Sequence, residues 1–251
     1  MATQTEPRPK ARDPLTRERV LRAAVDLADR EGIDALTMRN LARDLGAEAM
    51  SLYYHVANKE AVLDGVVDVI MDEINRAVSA VDGPPATEDW KAVMRSRILA
   101  AREVLLRHRW ASRLIETRTA ISPTTMRYFD ELLGVLHAGG FSYDLAHHAM
   151  HAMGSRGLGF TQELFEPENA DEGDEDITEA MAEMADQFPH LTGMMMEVAH
   201  DDPDSTLGWC DDQFEFEFGL DLILEGLEAT RQRSEEAGGS RRMLQDSPTS
   251  T

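Results

Sequence analysis

Several features are scarce or missing in this 251-residue sequence. The single cysteine, Cys210, cannot form a disulfide within the chain, which fits a reducing compartment such as the cytoplasm. No apolar run approaches the roughly 20 residues that span a bilayer, and the polar N-terminus predicts no signal peptide. No phosphate-binding loop, nucleophile elbow or paired-carboxylate site is evident. We therefore predict no enzyme, no cofactor and no membrane segment.

Basic residues are outnumbered by acidic ones, which gives a formal net charge of −22. The two kinds of charge are unevenly distributed along the chain. Residues 1–60 contain ten basic and ten acidic residues. Residues 61–251 contain fifteen basic and thirty-seven acidic residues, so the whole acidic excess lies there. Within residues 7–22, six basic residues face only two acidic ones. A phosphate backbone is therefore predicted to approach only the N-terminal end of the chain.

Residues 37–59, TMRNLARDLGAEAMSLYYHVANK, predict two short helices joined by a tight turn. Thr37 is a suitable N-cap, and Gly46 can adopt the left-handed conformation that ends a helix. The second helix, about 48–55, has too little apolar surface to be a core helix. This pattern is typical of a helix-turn-helix that reads a DNA major groove.

The rest of the chain predicts an all-α protein. Val20, Ala24, Leu27 and Ala28 share one face of a first helix that starts near Leu15 and ends at Gly32. Asn58 is expected to cap a long helix. The segment DGPPA at 82–86 is expected to break the chain after that helix, as an elbow between a small N-terminal domain and a larger one. Later helices are expected at about 88–108, 110–116, 123–138, 142–165, 177–188 and 211–231. The last of these is apolar on two sides, which indicates burial against a partner as well as its own domain.

The predicted organisation has four parts. A basic, disordered arm occupies 1–14, and the helix-turn-helix domain occupies 15–60. A ligand-binding and dimerisation domain covers 61–232, with a mobile acidic loop at 166–176. A disordered tail is expected at 233–251. Glycines 154, 157 and 159, inside a predicted helix, indicate a close helix–helix approach.

These motifs resemble the TetR family of bacterial transcriptional regulators. The similarity lies in GIDALTMRNLARDLG and SLYYHVANKEAVLD, followed by ETRTAISP, GGFSYDLA and FEFGLDLILEGLE. The resemblance implies an all-α homodimer whose subunits associate through helices at about 142–165 and 211–231. It also implies a repressor that a small, largely apolar molecule releases from a palindromic operator.

The resemblance further implies a set of DNA contacts. Arg39 would contact a base edge, because its planar guanidinium matches the two acceptors of guanine. Lys59 would meet a phosphate together with the first N–H groups of its helix. The full expected set is Thr37, Arg39, Ala49, Met50, Ser51, Tyr53, Tyr54, His55 and Lys59.

For the effector, the resemblance implies a cavity in the larger domain. The expected lining residues are Arg97, Leu114, Thr117, Arg118, Phe129, His147, Met150 and His151. Leu114 stands where tetracycline-binding members have a metal-coordinating histidine, although Glu163 matches their partner carboxylate. A magnesium-chelated tetracycline is therefore not the predicted effector.

His147 and His151 suggest an alternative function. Residues at i and i+4 lie on the same helix face, so these two side chains could chelate a metal. A metal- or metabolite-binding sensor that uses this pair therefore remains an alternative, although the sequence offers no third ligand of clear position.

Overall fold

The computed structural model describes residues 14–119, 121–159, 187–190, 192–193 and 212–245. Helices dominate these residues and no β-strand occurs among them, so the predicted all-α class is confirmed. The bounds are α1 (Arg17–Glu31), α2 (Met38–Asp44), α3 (Ala49–Leu52), α4 (Lys59–Ser79), α5 (Ala86–Arg107), α6 (Ala111–Glu116), α7 (Pro123–Ala138), α8 (Tyr143–Gly159) and α9 (Asp212–Gln245).

Short-range signals set the ends of the N-terminal helices. The Thr16 hydroxyl accepts a hydrogen bond from the Arg19 N–H at 3.2 Å at the start of α1. Gly32, at a φ of 82°, ends that helix. Thr37 and Asn58 cap α2 and α4 in the same way, so both predicted N-caps are confirmed. Each signal lies within a few residues of the helix end that it fixes.

The helix-turn-helix consists of α2, a turn at Gly46 and α3. Gly46 has a φ of 62°, the left-handed conformation expected of it. The predicted second helix at 48–55 is too long, because α3 ends at Leu52 and residues 53–55 form a turn. The N–H groups of His55 and Val56 both bond to the Leu52 carbonyl, which closes this turn. Leu52 and Val56 can then both enter the core.

Helix α4 packs against α1 through a continuous apolar stripe. Val62, Val66, Ile70, Ile74 and Val78 are buried, as the predicted stripe requires, and Val69 is partly buried. A Cβ at Gly65 would lie 2.6 Å from the Leu21 Cδ2 atom. The two helices therefore approach closely at Gly65.

Compact packing divides the chain into two units. The first contains Met1–Asp82 and Ser96–Leu132, and the second contains Gly83–Arg95 and Leu133–Thr251. Helix α5 contributes to both, and the backbone at Asp89 departs from helical geometry near its start. The Asp89 carboxylate accepts a hydrogen bond from the Ala92 N–H at 3.0 Å, which restarts the helix. The predicted limits of the domains stay predictions.

The second unit contains an aromatic contact and a buried apolar side of α9. Trp90 packs edge-on against Phe141, with ring centroids 4.7 Å apart. Gly139 permits this packing, since a Cβ there would lie 2.6 Å from the Trp90 side chain. One side of α9 is buried through Phe216, Leu220 and Leu224.

Two expectations for the C-terminal helices need correction. The last helix was predicted to end near Arg231 and to precede a disordered tail, yet α9 continues to Gln245. Arg231 bonds to Glu228 and Glu235, one turn away on either side, which supports helix beyond the predicted end. The close approach expected at Gly154 is not made among the described residues, because a Cβ there would meet none of their atoms within 4 Å.

Other predictions concern residues outside the described ranges. They are the arm before residue 14, Glu163, the acidic loop at 166–176, most of the predicted helix at 177–188, Cys210 and the tail after residue 245. Among the helices that the structure describes, none is both long enough and apolar enough to cross a bilayer.

Candidate DNA-binding face and effector site

The predicted DNA contacts are all exposed or partly buried residues of the first unit. Met50 and Tyr54 are 71% and 88% exposed, although both are large and apolar or aromatic. Tyr53 and Arg39 are also exposed, whereas Ala49, Ser51 and His55 are partly buried. Leu52, which anchors α3, is fully buried. Leu52 thus anchors the short helix in the core, and the other side chains of the helix remain available to a partner.

Thr37 and Lys59 lie at the N-termini of α2 and α4. The Thr37 hydroxyl caps α2 by accepting a hydrogen bond from the Asn40 N–H at 3.1 Å. Lys59 is the exposed first residue of α4, and the Asn58 carboxamide oxygen caps that helix through the Ala61 N–H at 2.8 Å. Helix N-termini carry partial positive charge and favour phosphate, so this end of α4 suits a DNA backbone.

Arg118 is bonded to the same end of α4. Its guanidinium lies 2.8 Å from a Glu60 carboxylate oxygen and 3.2 Å from an Asp64 one. The hydrogen bond to Glu60, followed by that to Asp64, raises the pKa of Arg118. The single positive charge of Arg118 offsets one of the two negative charges near Lys59, which reduces their repulsion of phosphate. Its Nε atom is buried with no partner in the part of the chain that the structure describes.

The predicted effector residues are divided between the two compact units. Arg97, Leu114, Thr117, Arg118 and Phe129 belong to the first unit, and His147, Met150 and His151 belong to the second. Leu114 is buried, and the Thr117 hydroxyl donates to its carbonyl at 2.7 Å. Phe129 lies against Tyr128, with ring centroids 5.8 Å apart.

Arg97 and Tyr128 form a polar cluster on the first unit. The Arg97 guanidinium lies 3.4 Å from the Glu131 carboxylate. Loss of solvent raises the pKa of the Tyr128 hydroxyl to about 12, although the positive charge of Arg97 opposes this shift. The hydroxyl is thus a neutral hydrogen-bonding group at physiological pH.

Asn75 is a candidate effector residue that the sequence reasoning missed. It is only 6% exposed, and its amide N–H₂ donates to the Thr124 carbonyl at 3.0 Å. Its carboxamide oxygen is buried with no partner in the described structure, and the residue lines an open surface pocket of about 330 Å³ between α4 and α7. Its place in the apolar stripe of α4, one turn from Met71, was a signal that could have identified it. A buried acceptor without a donor costs about 1–3 kcal/mol, so a ligand donor would be well placed there.

The histidines of α8 lie close together in the second unit. The rings of His147 and His151 are 4.6 Å apart in an edge-on arrangement, and His148 lies 5.6 Å from His147. Among the described residues, no three His, Cys, Asp or Glu side chains are grouped so that they could hold a metal ion.

An exposed helix-turn-helix attached to a larger helical region defines a DNA-binding regulator. The pattern described as "Bacterial regulatory proteins, tetR family" matches residues 20–66, and "Tetracyclin repressor-like, C-terminal domain" matches residues 83–231. The chain therefore belongs to the tetR family and is a ligand-responsive, DNA-binding transcriptional regulator, as the sequence resemblance predicted.

Individual relatives agree with this assignment. The chain is 31% identical over 219 residues to the tetracycline repressor protein class C of Escherichia coli, covering 86% of this chain and 92% of the repressor. It is 39% identical over 127 residues to an HTH-type transcriptional regulator of Saccharopolyspora erythraea, a match that spans 51% of each protein. The Streptomyces coelicolor TetR family protein ActR in complex with actinorhodin is 26% identical, with a TM-score of 0.64 over 87% of this chain and 97% of that one.

These relatives are transcriptional regulators rather than enzymes. They favour ligand-responsive repression over the metal-sensor alternative based on His147 and His151.

Proposed function

We propose that the chain is a cytoplasmic, homodimeric repressor without catalytic activity, which a small, largely apolar effector releases from a palindromic operator. The observation that carries this proposal is the exposed face of α3 beside the capped N-terminus of α4. Two such faces, one on each subunit, would enter successive major grooves about 34–36 Å apart. The effector would act by binding more tightly to a dimer state whose spacing does not fit DNA.

Arg39 is proposed to read a base, and Lys59 is proposed to hold a phosphate. Fluorescence anisotropy on duplexes from DNA flanking its own gene tests both roles. Arg39→Ala should weaken specific binding about tenfold or more, because a bidentate base contact is worth about 1–3 kcal/mol. Lys59→Ala should instead reduce the slope of log affinity against log salt by about 0.9 per subunit.

Arg113→Ala is the matched control, since Arg113 is exposed on α6 and is not among the proposed DNA contacts. It should leave both the affinity and the salt slope close to those of the native protein. A native protein that shows no sequence-specific binding to any flanking duplex would contradict the proposed function.

The second subunit is proposed to cover the exposed side of α9. Phe214, Phe218 and Leu222 lie one turn apart on this side and are exposed, and the two phenylalanine rings stack at 6.4 Å. Helix α8 packs on α9 and has open space at Gly154, which would admit a partner helix. Phe218→Glu should yield monomers in sedimentation analysis, whereas Phe188→Glu, an exposed phenylalanine outside both helices, should remain dimeric.

The effector is proposed to be flat and largely apolar, with a hydrogen-bond donor for Asn75. The tetracycline repressor and ActR with actinorhodin suggest two probes for titration. Because Leu114 replaces a metal-binding histidine, added magnesium should not increase the response to tetracycline. Actinorhodin should release the operator without magnesium, and Asn75→Leu should weaken that release while leaving DNA affinity unchanged. A native protein that responds to tetracycline only when magnesium is present would contradict this choice of effector.

A further inference from the structure

Glu48 lies directly before α3, at the N-cap position of the second helix of the helix-turn-helix. Its backbone is extended, with a φ of −79° and a ψ of 141°, and its carbonyl accepts a hydrogen bond from the Ser51 N–H at 2.9 Å. Thr37 and Asn58 cap α2 and α4 with their side chains, whereas the Glu48 carboxylate makes no capping bond. The Glu48 side chain is exposed, so a charged acceptor stands at the start of α3.

Glu48 also differs from the other acids close to the proposed DNA contacts in the sequence. Residues 37–64 contain four acidic residues, and three of them lie against an arginine. These pairs are Asp44 with Arg30 at 2.8 Å, Glu60 with Arg118 at 2.8 Å and Asp64 with Arg118 at 3.2 Å. Glu48 has no such partner among the residues that the structure describes. Its charge therefore costs affinity for every duplex unless a contact with the DNA offsets the repulsion by phosphates.

The chemistry of base edges restricts what that contact can be. An ionised carboxylate only accepts hydrogen bonds. In the major groove, guanine and thymine present acceptors, and adenine places its N7 acceptor beside its amino group, whereas cytosine presents its N4 amino group alone. The first residues of a recognition helix are the ones that contact base edges. A carboxylate at this position therefore suits cytosine and is repelled by the acceptors of the other three bases.

We propose that Glu48 is a specificity-determining residue that accepts a hydrogen bond from the N4 amino group of one cytosine in each half of the operator. This role rests on the proposed function, because it needs the start of α3 to lie in the major groove. On a duplex with another base at that position, the carboxylate keeps its repulsion and gains no hydrogen bond. Glu48 thus separates correct from incorrect sequences by two effects, attraction at cytosine and repulsion elsewhere.

Selection from a library of duplexes with randomised half-sites, at constant salt, tests this role. The native protein should prefer cytosine by about tenfold or more at one symmetric pair of positions. Glu48→Ala should reduce this preference to less than about threefold and leave the preferences at other positions unchanged. Glu48→Gln should change the preference from cytosine to adenine, because a carboxamide donates to adenine N7 and accepts from the adenine amino group.

Glu31→Gln is the matched control, because Glu31 is an exposed carboxylate at the end of α1, outside the helix-turn-helix. It removes the same charge and should keep every base preference of the native protein. Far-UV circular dichroism should show native helix content in all three variants, since both positions are exposed.

The selection separates a failure of this inference from a failure of the proposed function. If both Glu48 variants bind all duplexes more tightly by the same factor and keep the native base preferences, Glu48 acts through its charge alone. That result overturns the inference and leaves the DNA-binding proposal intact. A native preference for a base other than cytosine at the position that the variants alter also overturns it. A native protein that enriches no sequence from the library contradicts the proposed function itself and removes the inference with it.

Discussion

The α1–α4 contact of the first unit and the α5–α9 contact of the second are held together by different means. In the first, Val62, Val66, Ile70 and Ile74 form a buried apolar stripe between α4 and α1. In the second, the start of α5 is joined to α9 by a row of polar contacts. These contacts are Lys91 with Glu225, Arg95 with Glu217 and Asp221, and Trp90 with Glu228. Apolar packing depends little on pH or salt, whereas ion pairs depend on both. The apolar stripe of α4 should therefore tolerate acid and salt better than the polar contacts between α5 and α9.

The largest expected effect is the loss of packing in the first unit. Ile70→Ala removes a fully buried side chain and should reduce the free energy of unfolding by about 3 kcal/mol. Urea denaturation at pH 7 and at pH 5 should give the same loss, because no charge is involved. Met50→Ala, at an exposed position, is the control and should change stability by less than about 0.5 kcal/mol. A loss that depends strongly on pH would contradict the distinction between the units.

Glu228 makes an acid-sensitive contact in the second unit. Its carboxylate accepts hydrogen bonds from the Arg231 guanidinium at 2.7 Å and the Trp90 indole at 2.9 Å. These bonds, that of Arg231 first, lower the pKa of Glu228 to about 2. Because the folded-state pKa lies below the unfolded value, the stabilisation is complete above about pH 4.5 and is lost as pH falls toward 2.

Glu228→Gln should therefore reduce stability at pH 7 by about 2 kcal/mol and flatten the acid unfolding curve between pH 4.5 and pH 2. Circular dichroism across this range measures both effects. Glu236→Gln, at an exposed position of α9, serves as the control and should keep the native curve. An acid curve that is unchanged in Glu228→Gln would show that another group governs acid unfolding.

The parts that the sequence predicted correctly depend on neighbours within a few residues. Thr37, Gly46 and Asn58 act on the helix ends beside them, and the stripe of α4 repeats along one helix. The parts that it missed depend on contacts far apart in the chain. The bond between Arg118 and Glu60, which are 58 residues apart, was not predicted. No local pattern specifies such a pair. The effector role expected of Arg118 stays a prediction.

The same reasoning applies to the effector site and the last helix. The sequence did not identify Asn75, because its unpaired carboxamide oxygen is evident only from the structure. There the amide N–H₂ donates to the Thr124 carbonyl, and the oxygen is left without a donor among the described residues. The end of α9 was placed too early because its polar residues were interpreted as disorder, although charged residues one turn apart also stabilise helix.

The cap of α2 offers a smaller test of a contact that the sequence alone predicts. Thr37→Ala removes the acceptor for the Asn40 N–H and should reduce stability by about 1 kcal/mol. Thr37→Ser keeps an oxygen in the same place and should stay within about 0.5 kcal/mol of the native protein. Urea denaturation measures both, and equal losses in the two variants would show that the methyl group, not the hydroxyl, is responsible.

The smallest effect is expected at the edge of the polar row in the second unit. The Lys91 ammonium lies 2.6 Å from the Glu225 carboxylate, but the Glu225 side chain is 69% exposed, so solvent screens the pair. A double-mutant cycle with Lys91→Ala and Glu225→Ala should give a coupling energy of about 0.5 kcal/mol, which 1 M salt should remove. A coupling that survives 1 M salt would mean that this pair is held by the packing of α5 on α9 rather than by charge. The row would then resemble the apolar stripe of the first unit, and the contrast between the units would rest on Glu228 alone.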